Sequence, residues 1–306
     1  MTQEAEFIAA LREIAVHPAA RGLQDDAAVL SVASLGNVHK NLVLTHDMMA
    51  EGVHWLPDAN PADVAWKILA ANLSDLAAKG ASPVGVLLGY TLSGAASWDT
   101  AFLAGLKSAL AHYTVPLLGG DTISVSGTRT ISMTALGQSR MAPARSGAVA
   151  GDGLYVTGSL GLAGLGLRLL QGTAASALGL SDAQANAAIA QHQRPVPRLR
   201  DGQRLAPLVH AMMDVSDGLL IDAQRMAAAS NLSLVINVDV VPHVGDIMAA
   251  MTAGDDYELL FAVPRSSVLP VAATCIGRFE RGSGLVLQQD GKNMPLPEHL
   301  GWEHSA

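Results

Sequence analysis

The segment Asn72-Leu73-Ser74-Asp75-Leu76-Ala77-Ala78-Lys79-Gly80 decides how this chain is interpreted, because it sets one carboxylate inside an apolar helix. The pattern predicts a helix from Pro61 to Lys79 that stops at the glycine. Asp75 has apolar neighbours on both sides, and buried carboxylates are rare unless they are paired or bound to metal. An ion pair with Lys79, one turn further on, is the simpler alternative, and the segment alone does not choose between the two.

Other aspartates also stand beside glycine, serine and small apolar residues, at Asp25-Asp26, Thr45-His46-Asp47, Gly119-Gly120-Asp121, Asp214 to Asp217 and Gly254-Asp255-Asp256. Only 15% of the residues are charged, so carboxylates at turn-forming points resemble ligands for hard cations. Mg²⁺ takes oxygen ligands and shares them with substrate phosphates. Ordinary turns and a helix N-cap at Ser216 or Asp217 are the alternatives. The sequence predicts an enzyme that handles metal and phosphate.

The composition limits the class of protein. A length of 306 residues favours two domains, and we place the boundary in the Ala-, Gly- and Pro-rich stretch between residues 1–140 and 151–306. A net charge of −8 argues against general affinity for nucleic acid. The lone Cys275 fits a reducing compartment and is not expected to be catalytic. Without a signal peptide or a membrane-length apolar run, we expect a cytoplasmic protein that does not enter the membrane.

The apolar pattern predicts alternating strands and helices, hence an α/β or α+β build in each half. We predict helices over residues 2–16, 61–79, 98–113, 174–193 and 218–230, and a shorter one ending at residue 170. We predict strands over residues 27–32, 41–44, 84–92, 116–118, 128–137, 154–157, 212–215, 233–238 and 258–263. In this scheme the second strand ends at Thr45-His46-Asp47, and Gly119-Gly120-Asp121 forms a turn after the fourth.

The sequence disfavours a dinucleotide-binding site and excludes an ordinary P-loop. The glycines from Gly158 to Gly166 are wrongly spaced for a dinucleotide fingerprint, and no Walker P-loop string occurs. Arg145, in the predicted linker, could reach a phosphate from either domain, although a solvated charge is the simpler interpretation. Core packing is the default for His54 and Trp302, with ring stacking as the alternative.

In their order and number, these strings resemble the thiamine-monophosphate kinases, within the family that also contains aminoimidazole-ribonucleotide synthetase and selenophosphate synthetase. The resemblance runs from about Gln24 to Trp302. It rests on Asp25-Asp26-Ala27, Thr45-His46-Asp47, Glu51-Gly52-Val53-His54, the Asp75 segment, Gly119-Gly120-Asp121-Thr122, Arg145-Ser146-Gly147, Met213 to Leu219, Gly254-Asp255-Asp256-Tyr257-Glu258-Leu259 and Gly301-Trp302.

The resemblance implies transfer of the γ-phosphoryl group of ATP to thiamine monophosphate, with several Mg²⁺ ions; it leaves open whether K⁺ assists. The implied metal ligands are Asp26, Thr45, His46, Asp47, Asp75, Asp121, Asp214 and Asp217, of which Asp47, Asp75 and Asp121 are the expected catalytic set. The implied ATP-binding residues are Tyr113, Gly120, Asp121, Arg145 and Ser216. The implied thiamine-binding residues are His54, Asp255 and Trp302.

The resemblance also implies a two-domain synthetase-like fold, in which the N-terminal sheet joins that of a second copy in a dimeric β-barrel beside a C-terminal α/β domain. This chain departs from the family pattern at Gln24, His46 and Asp255, which replace a usual glycine, threonine and glutamate. Leu162 and Ala163 stand where the family has an acidic residue. The carboxylate of Asp255 would therefore reach less far than that of the usual glutamate, by one methylene group.

Three alternatives stay open at this point. A sister synthetase shares the metal and nucleotide ligands, although it would lack the Asp-Tyr-Glu-Leu and terminal Gly-Trp strings. A metal-dependent phosphohydrolase could use the same carboxylates with water as the acceptor. A non-catalytic metal- or nucleotide-binding protein is the third.

Overall fold

The chain forms a two-domain, mixed α/β fold built on two mixed β-sheets. The computed structural model describes residues 21–22, 24–31, 41–92, 94–124 and 126–303. The helix predicted over residues 2–16 lies outside these ranges. Within them, no helix combines the length and the apolar character needed to cross a lipid bilayer.

The N-terminal sheet has the strand order β1-β2-β5-β3-β4 and is antiparallel except between β3 and β4. Its strands are β1 (Ala28–Ser31), β2 (Asn41–Ala50), β3 (Ser82–Leu92), β4 (Leu117–Ser124) and β5 (Thr130–Ser139). Helix α1 (Pro61–Ala78) packs across β2 and β5, and α2 (Ala96–Tyr113) packs on α1. Asn60 caps α1, because its side chain accepts a hydrogen bond from the amide of Ala62.

The C-terminal sheet has the order β12-β11-β8-β10-β6-β9-β7. Its strands are β6 (Asp152–Val156), β7 (Ala211–Asp214), β8 (Leu232–Asn237), β9 (Leu259–Pro264), β10 (Thr274–Arg281), β11 (Gly284–Gln289) and β12 (Lys292–Met294). Its helices are α3 (Leu162–Leu170), α4 (Asp182–Gln193), α5 (Leu199–Leu205), α6 (Leu219–Ala229) and α7 (Ile247–Thr252), with 3₁₀ turns at Ala175–Leu178 and Val238–Val240.

Helix α1 joins the two domains. Its last turn enters a core shared with α5, β7 and β9, where Ala77, Leu205 and Phe261 are fully buried. The backbones approach closely, because a Cβ atom on Gly202 would lie 2.0 Å from the carbonyl oxygen of Ala77. A glycine is therefore required at this crossing, and it fixes Asp75 of α1 relative to the end of β7.

The structure corrects three details of the predicted elements. Strand β2 continues to Ala50, so Thr45-His46-Asp47 lies within the strand, paired with β5. Gly119-Gly120-Asp121 lies inside β4, where a Cβ atom on Gly120 would be 2.0 Å from the carbonyl oxygen of Leu88; the glycines allow close strand pairing instead of a turn. The helix predicted over residues 174–193 is broken at Gly179, and α4 restarts behind the capping box of Ser181.

Replacing Gly202 by alanine is expected to lower the free energy of unfolding by about 1–3 kcal/mol, because the new methyl group would push α5 away from α1. Urea unfolding midpoints of the two proteins measure the effect. Arg204→Ala on the exposed face of α5 is the matched control. An unchanged midpoint for Gly202→Ala would contradict the close crossing.

Candidate functional site

Three carboxylates that are far apart in sequence meet at the junction of the domains. Asp26 precedes β1, Asp75 lies on α1, and Asp214 ends β7. One carboxylate oxygen from each lies within 4.8 Å of the others. This spacing allows one cation to contact more than one of them, and oxygen ligands suit Mg²⁺. The metal cluster expected at Asp26, Asp75 and Asp214 therefore has a geometric basis.

Hydroxyl groups orient two members of the cluster. Thr45 of β2 donates a hydrogen bond to the carboxylate of Asp75, and Ser74 donates one to Asp214. Asp47, two residues along β2, has a buried carboxylate oxygen with no hydrogen-bond partner among the described residues. An unpaired buried carboxylate oxygen is costly, so this atom is suited to a ligand such as a metal ion.

Crowding changes the protonation of these groups. Burial, reinforced by Asp26, raises the pKa of Asp214 to about 8. Burial, followed by repulsion from Asp217 and Asp26, raises the pKa of Asp47 to about 6. Burial and the neighbouring Asp47 also raise the pKa of Asp75 well above its usual value. The carboxylates lack sufficient positive charge around them, and a divalent cation would supply it. The residues present therefore fit Mg²⁺.

Asp26 is ionised, because two cations face it. Burial alone would raise its pKa, but Arg145 and Lys79 hold the pKa far below the usual range. The ammonium group of Lys79 lies 2.7 Å from Asp26 and donates a 2.6 Å hydrogen bond to Asp25. Lys79 therefore does not form the simple helical ion pair with Asp75, and Arg145 is not a solvated linker charge.

Ser216 and Asp217 are held by a residue that the sequence motifs did not single out. The buried carboxylate of Asp222 accepts hydrogen bonds from the amides of Ser216 and Asp217, at 3.1 and 3.0 Å. Arg225 bridges the carboxylates of Asp217 and Asp222. The N-cap of α6 is Gly218 and makes no side-chain capping bond, so the alternative interpretation, a cap by Ser216 or Asp217, is wrong. Asp222 is an acidic residue in the first turn of α6, and this position was the sequence signal that could have indicated its role.

A cleft of about 790 Å³ lies beside the carboxylates and between the domains. Many predicted site residues line it, namely His46, Asp47, His54, Asp75, Asp214, Ser216, Asp217, Asp255 and Trp302. The Trp302 indole is half exposed, and its amide donates a 2.9 Å hydrogen bond to the carbonyl oxygen of Asp217. Asp26 and Thr45 do not line the cleft, although each lies next to Asp75, which does. The wall of the cleft therefore combines carboxylates with aromatic side chains.

The end of the cleft away from the carboxylates is organised by Lys67 of α1. Its buried ammonium group donates hydrogen bonds to the carbonyl oxygen of His54, at 3.1 Å, and to the carboxylate of Asp255, at 2.7 Å. Burial opposes ionisation of Asp255, but Lys67 and His192 outweigh it and lower the pKa of Asp255. The tyrosine hydroxyl of Tyr257 donates a further bond to Asp255. No sequence motif pointed to Lys67 or His192.

Six predicted residues do not line this cleft, namely Asp26, Thr45, Tyr113, Gly120, Asp121 and Arg145. Gly120 and Asp121 are exposed on β4, the edge strand of the N-terminal sheet. Asp47 and Gly120 belong to one row across the sheet, through Met133 and Leu88, so three strand spacings, roughly 14 Å, separate them. Tyr113 packs against the ring of Trp66 with centroids 5.4 Å apart, and its hydroxyl is buried.

Comparisons with known proteins agree with this architecture. Residues 24–139 match the N-terminal domain model of AIR synthase related proteins, and residues 149–292 match the C-terminal domain model. Thiamine-monophosphate kinase from Salmonella typhimurium is 36% identical over 93% of this chain and 92% of its own length. The alignment therefore covers almost the full length of both proteins.

Solved structures give the same result. A structure of AaThiL complexed with AMPPCP and TMP is 30% identical, with a TM-score of 0.85, and the match covers 97% of this chain and 96% of that one. Thiamine-monophosphate kinase from Stenotrophomonas maltophilia is 32% identical, with a TM-score of 0.73 over 94% of this chain and 96% of the other. Together with the three-carboxylate cluster, these similarities show that this chain belongs to the thiamine-monophosphate kinase family of AIR synthase related proteins.

Proposed function

We propose that this protein transfers the γ-phosphoryl group of ATP to thiamine monophosphate and forms thiamine diphosphate and ADP. The observation that carries the proposal is the convergence of Asp26, Asp75 and Asp214 beside a cleft whose wall also holds Trp302. A relative's complex with AMPPCP and TMP supports the same pair of substrates. Phosphoryl transfer between two polyanions requires that their negative charges be neutralised and held in line.

The carboxylates of Asp47, Asp75 and Asp214 would hold Mg²⁺, with Asp26, Thr45, His46 and Asp217 completing the ligand set. Bound Mg²⁺ supplies positive charge to the phosphate oxygens of both substrates. The acceptor phosphate is already ionised at neutral pH, so the chain needs no strong general base. Positioning and electrostatic stabilisation account for catalysis. Partial burial of Asp47 and Asp75 strengthens these electrostatic interactions.

His54, Asp255 and Trp302 would bind the thiamine portion. Trp302 offers an exposed ring face for stacking, and its amide is anchored to Asp217 on the metal side of the cleft. Asp255 is shorter than the usual glutamate by one methylene group. Its carboxylate is held in place by hydrogen bonds from Lys67 and Tyr257.

Arg145 and Ser216 would face ATP. The linker that carries Arg145 contacts both domains, because Ala144 accepts a hydrogen bond from the amide of Met212 and Arg145 bonds Asp26. We accordingly retain residues 1–140 and 151–306 as the two domains. The linker itself then belongs to the nucleotide site.

We propose that the active form is a homodimer in which the N-terminal sheets join through β4 into a barrel. Every residue of β4 is exposed, including the apolar Leu117, Leu118 and Ile123. An exposed apolar edge strand favours pairing with another strand. Gly120 and Asp121 lie on β4, so we propose that they complete the cleft of the partner copy. This arrangement accounts for their separation from Asp47 within one chain.

Asp75→Asn is expected to lower kcat by at least about a thousandfold, because it removes a charged ligand from the phosphoryl-transfer site. Mg²⁺-dependent formation of thiamine diphosphate and ADP measures the effect, with thiamine as the control acceptor. Asp182→Asn on the exposed start of α4 is the matched control. Near-normal turnover in Asp75→Asn would reject the metal cluster, and free phosphate in place of thiamine diphosphate would identify a phosphohydrolase.

Without metal, the thermal stability of the protein is expected to fall as the pH rises from about 5 to about 8. The pKa of Asp214 is raised from 3.8 to about 8 in the folded state, so across this window the unfolded chain has lost a proton that the folded chain retains. Binding of Mg²⁺ requires the ionised carboxylates, so its stabilising effect should be larger at about pH 8 than at about pH 5. Differential scanning calorimetry with EDTA or Mg²⁺ measures both trends.

Asp214→Asn tests the origin of this pH dependence. The variant cannot ionise at that position, so its metal-free melting temperature should fall less steeply with pH than that of the unaltered protein. An equal Mg²⁺ effect at both pH values would show that protons and metal do not compete for these carboxylates.

A complementation experiment tests the shared cleft. Asp75→Asn and Asp121→Asn are each expected to be inactive, but mixed dimers would contain one cleft with both aspartates intact. Unfolding and refolding an equal mixture should restore about a quarter of the unaltered activity, as expected for random pairing of two subunits. Light scattering confirms the dimer. No recovery from a dimeric mixture would show that Asp121 does not act on the partner's cleft.

A further inference from the structure

The turn of residues 215–218 joins β7 to α6 and contacts two groups of proposed ligand-binding residues. Its members Ser216 and Asp217 line the cleft. The carbonyl oxygen of Ser216 accepts a 2.8 Å hydrogen bond from the amide of Asp255, and that of Asp217 accepts a 2.9 Å bond from the amide of Trp302. The turn therefore carries two residues that we propose to face Mg²⁺ and ATP, and it holds the backbone of two residues that we propose to bind the acceptor.

These backbone contacts are too close for a side chain to intervene. A Cβ atom on Gly254 would lie 2.5 Å from the carbonyl oxygen of Ser216, and one on Gly301 would lie 2.5 Å from that of Asp217. Each glycine directly precedes the residue whose amide makes the hydrogen bond. A displacement of the turn would therefore also displace Asp255 and Trp302.

The amides of the turn bond to a single carboxylate on α6. One oxygen of Asp222 accepts from Ser216 at 3.1 Å and from Asp217 at 3.0 Å, and the other oxygen accepts a 2.9 Å bond from Arg225. Asp222 is fully buried and does not line the cleft. Its influence on a bound substrate would therefore pass through the turn.

The chemistry of a carboxylate suits this position. A carboxylate is an acceptor at both oxygens, and each oxygen has more than one lone pair, so Asp222 can serve two amides and a guanidinium group at once. Hydrogen bonds to an ionised acceptor are also stronger than those to a neutral one. Arg225 contacts the carboxylate of Asp217 as well. Asp222 thus fixes the backbone of the turn directly and the side chain of Asp217 through Arg225.

We propose that Asp222 is a positioning residue, which fixes the turn of residues 215–218 so that this one segment aligns ATP with the acceptor. The inference rests on the proposed function and extends it to a residue outside the cleft. The side chains of the turn serve the nucleotide, whereas its carbonyl oxygens hold Asp255 and Trp302. Loss of Asp222 would therefore loosen the contacts of both substrates together.

Amide hydrogen exchange in the unliganded protein tests whether the turn transmits the effect of Asp222. Asp222→Ala removes the acceptor of both turn amides, so exchange at the amides of Asp255 and Trp302 is expected to accelerate at least about tenfold. Asp222→Asn keeps the side-chain volume and one acceptor oxygen, and we expect an acceleration of at least about threefold.

Asp152→Ala is the matched control. Asp152 is also buried in the C-terminal domain, accepts a 2.8 Å bond from the amide of Val149 and lies 2.8 Å from the imidazole of His210. None of these three residues lines the cleft. Its loss should lower the melting temperature, while exchange at Asp255 and Trp302 stays within about twofold of the unaltered protein.

Calorimetric titration tests the consequence for the ligands. Asp222→Ala is expected to bind Mg²⁺–AMPPCP and thiamine monophosphate each at least about tenfold more weakly than the unaltered protein does. Asp222→Asn should bind each at least about threefold more weakly, and Asp152→Ala should bind both within about twofold. A general loss of stability would affect the two alanine variants alike, so it would not produce this difference.

The positioning role is overturned if Asp222→Ala matches Asp152→Ala in exchange at Asp255 and Trp302, or binds either ligand as tightly as Asp152→Ala does. Asp222→Asn decides by the same comparison if Asp222→Ala does not fold. Failure of the unaltered protein to form thiamine diphosphate would instead refute the proposed function. Hydrogen exchange needs neither ligand nor turnover, so the two failures are distinguishable.

Discussion

The rest of the site depends on the position of α1, which packs against both domains and holds Asp75 in the wall of the cleft. Ala77 and Ala78 of α1 are buried against the C-terminal domain, while Ile68 and Leu73 are buried in the N-terminal core. Because the helix is fixed at both ends, Asp75 cannot move away from Asp214 of β7. The repulsion between the two carboxylates is therefore built into the packing. The fold holds them together at a cost in stability that a bound cation would offset.

The distribution of positive charge decides where that cation is needed. Lys79 and Arg145 both face Asp26, which is ionised as a result. Asp75 and Asp214 instead receive hydrogen bonds from hydroxyl groups of Thr45 and Ser74, which orient the carboxylates but carry no charge. The cluster is thus divided into a half that protein cations neutralise and a half that is left with excess negative charge. A divalent ion is suited to the second half, next to the cleft.

Local signals predicted α1 well, because its cap at Asn60, its proline start and its glycine stop all lie within the segment. Strand β2 extends to Ala50 because it pairs with β5, and Gly120 lies in a strand because β4 pairs with β3. No local sequence pattern encodes either pairing. The family resemblance supplied the candidate ligands, but their convergence needed the fold. Lys67 was missed for the same reason: its partners, His54 and Asp255, come from distant parts of the chain, and an isolated lysine in a helix resembles a surface residue.

Helix α1 also sets the distance between the two chemical tasks of the cleft. Lys67 and Asp75 are eight residues apart on it, which corresponds to a rise of about 12 Å along a rigid helix. Lys67 holds His54 and Asp255, which we propose to contact the acceptor, and Asp75 belongs to the carboxylate cluster. An acceptor that contacts His54 and Asp255 would place its phosphate at the cluster only if it spans that distance. One helix can therefore select the length of the acceptor as well as position the phosphate, which links specificity to catalysis without a moving part.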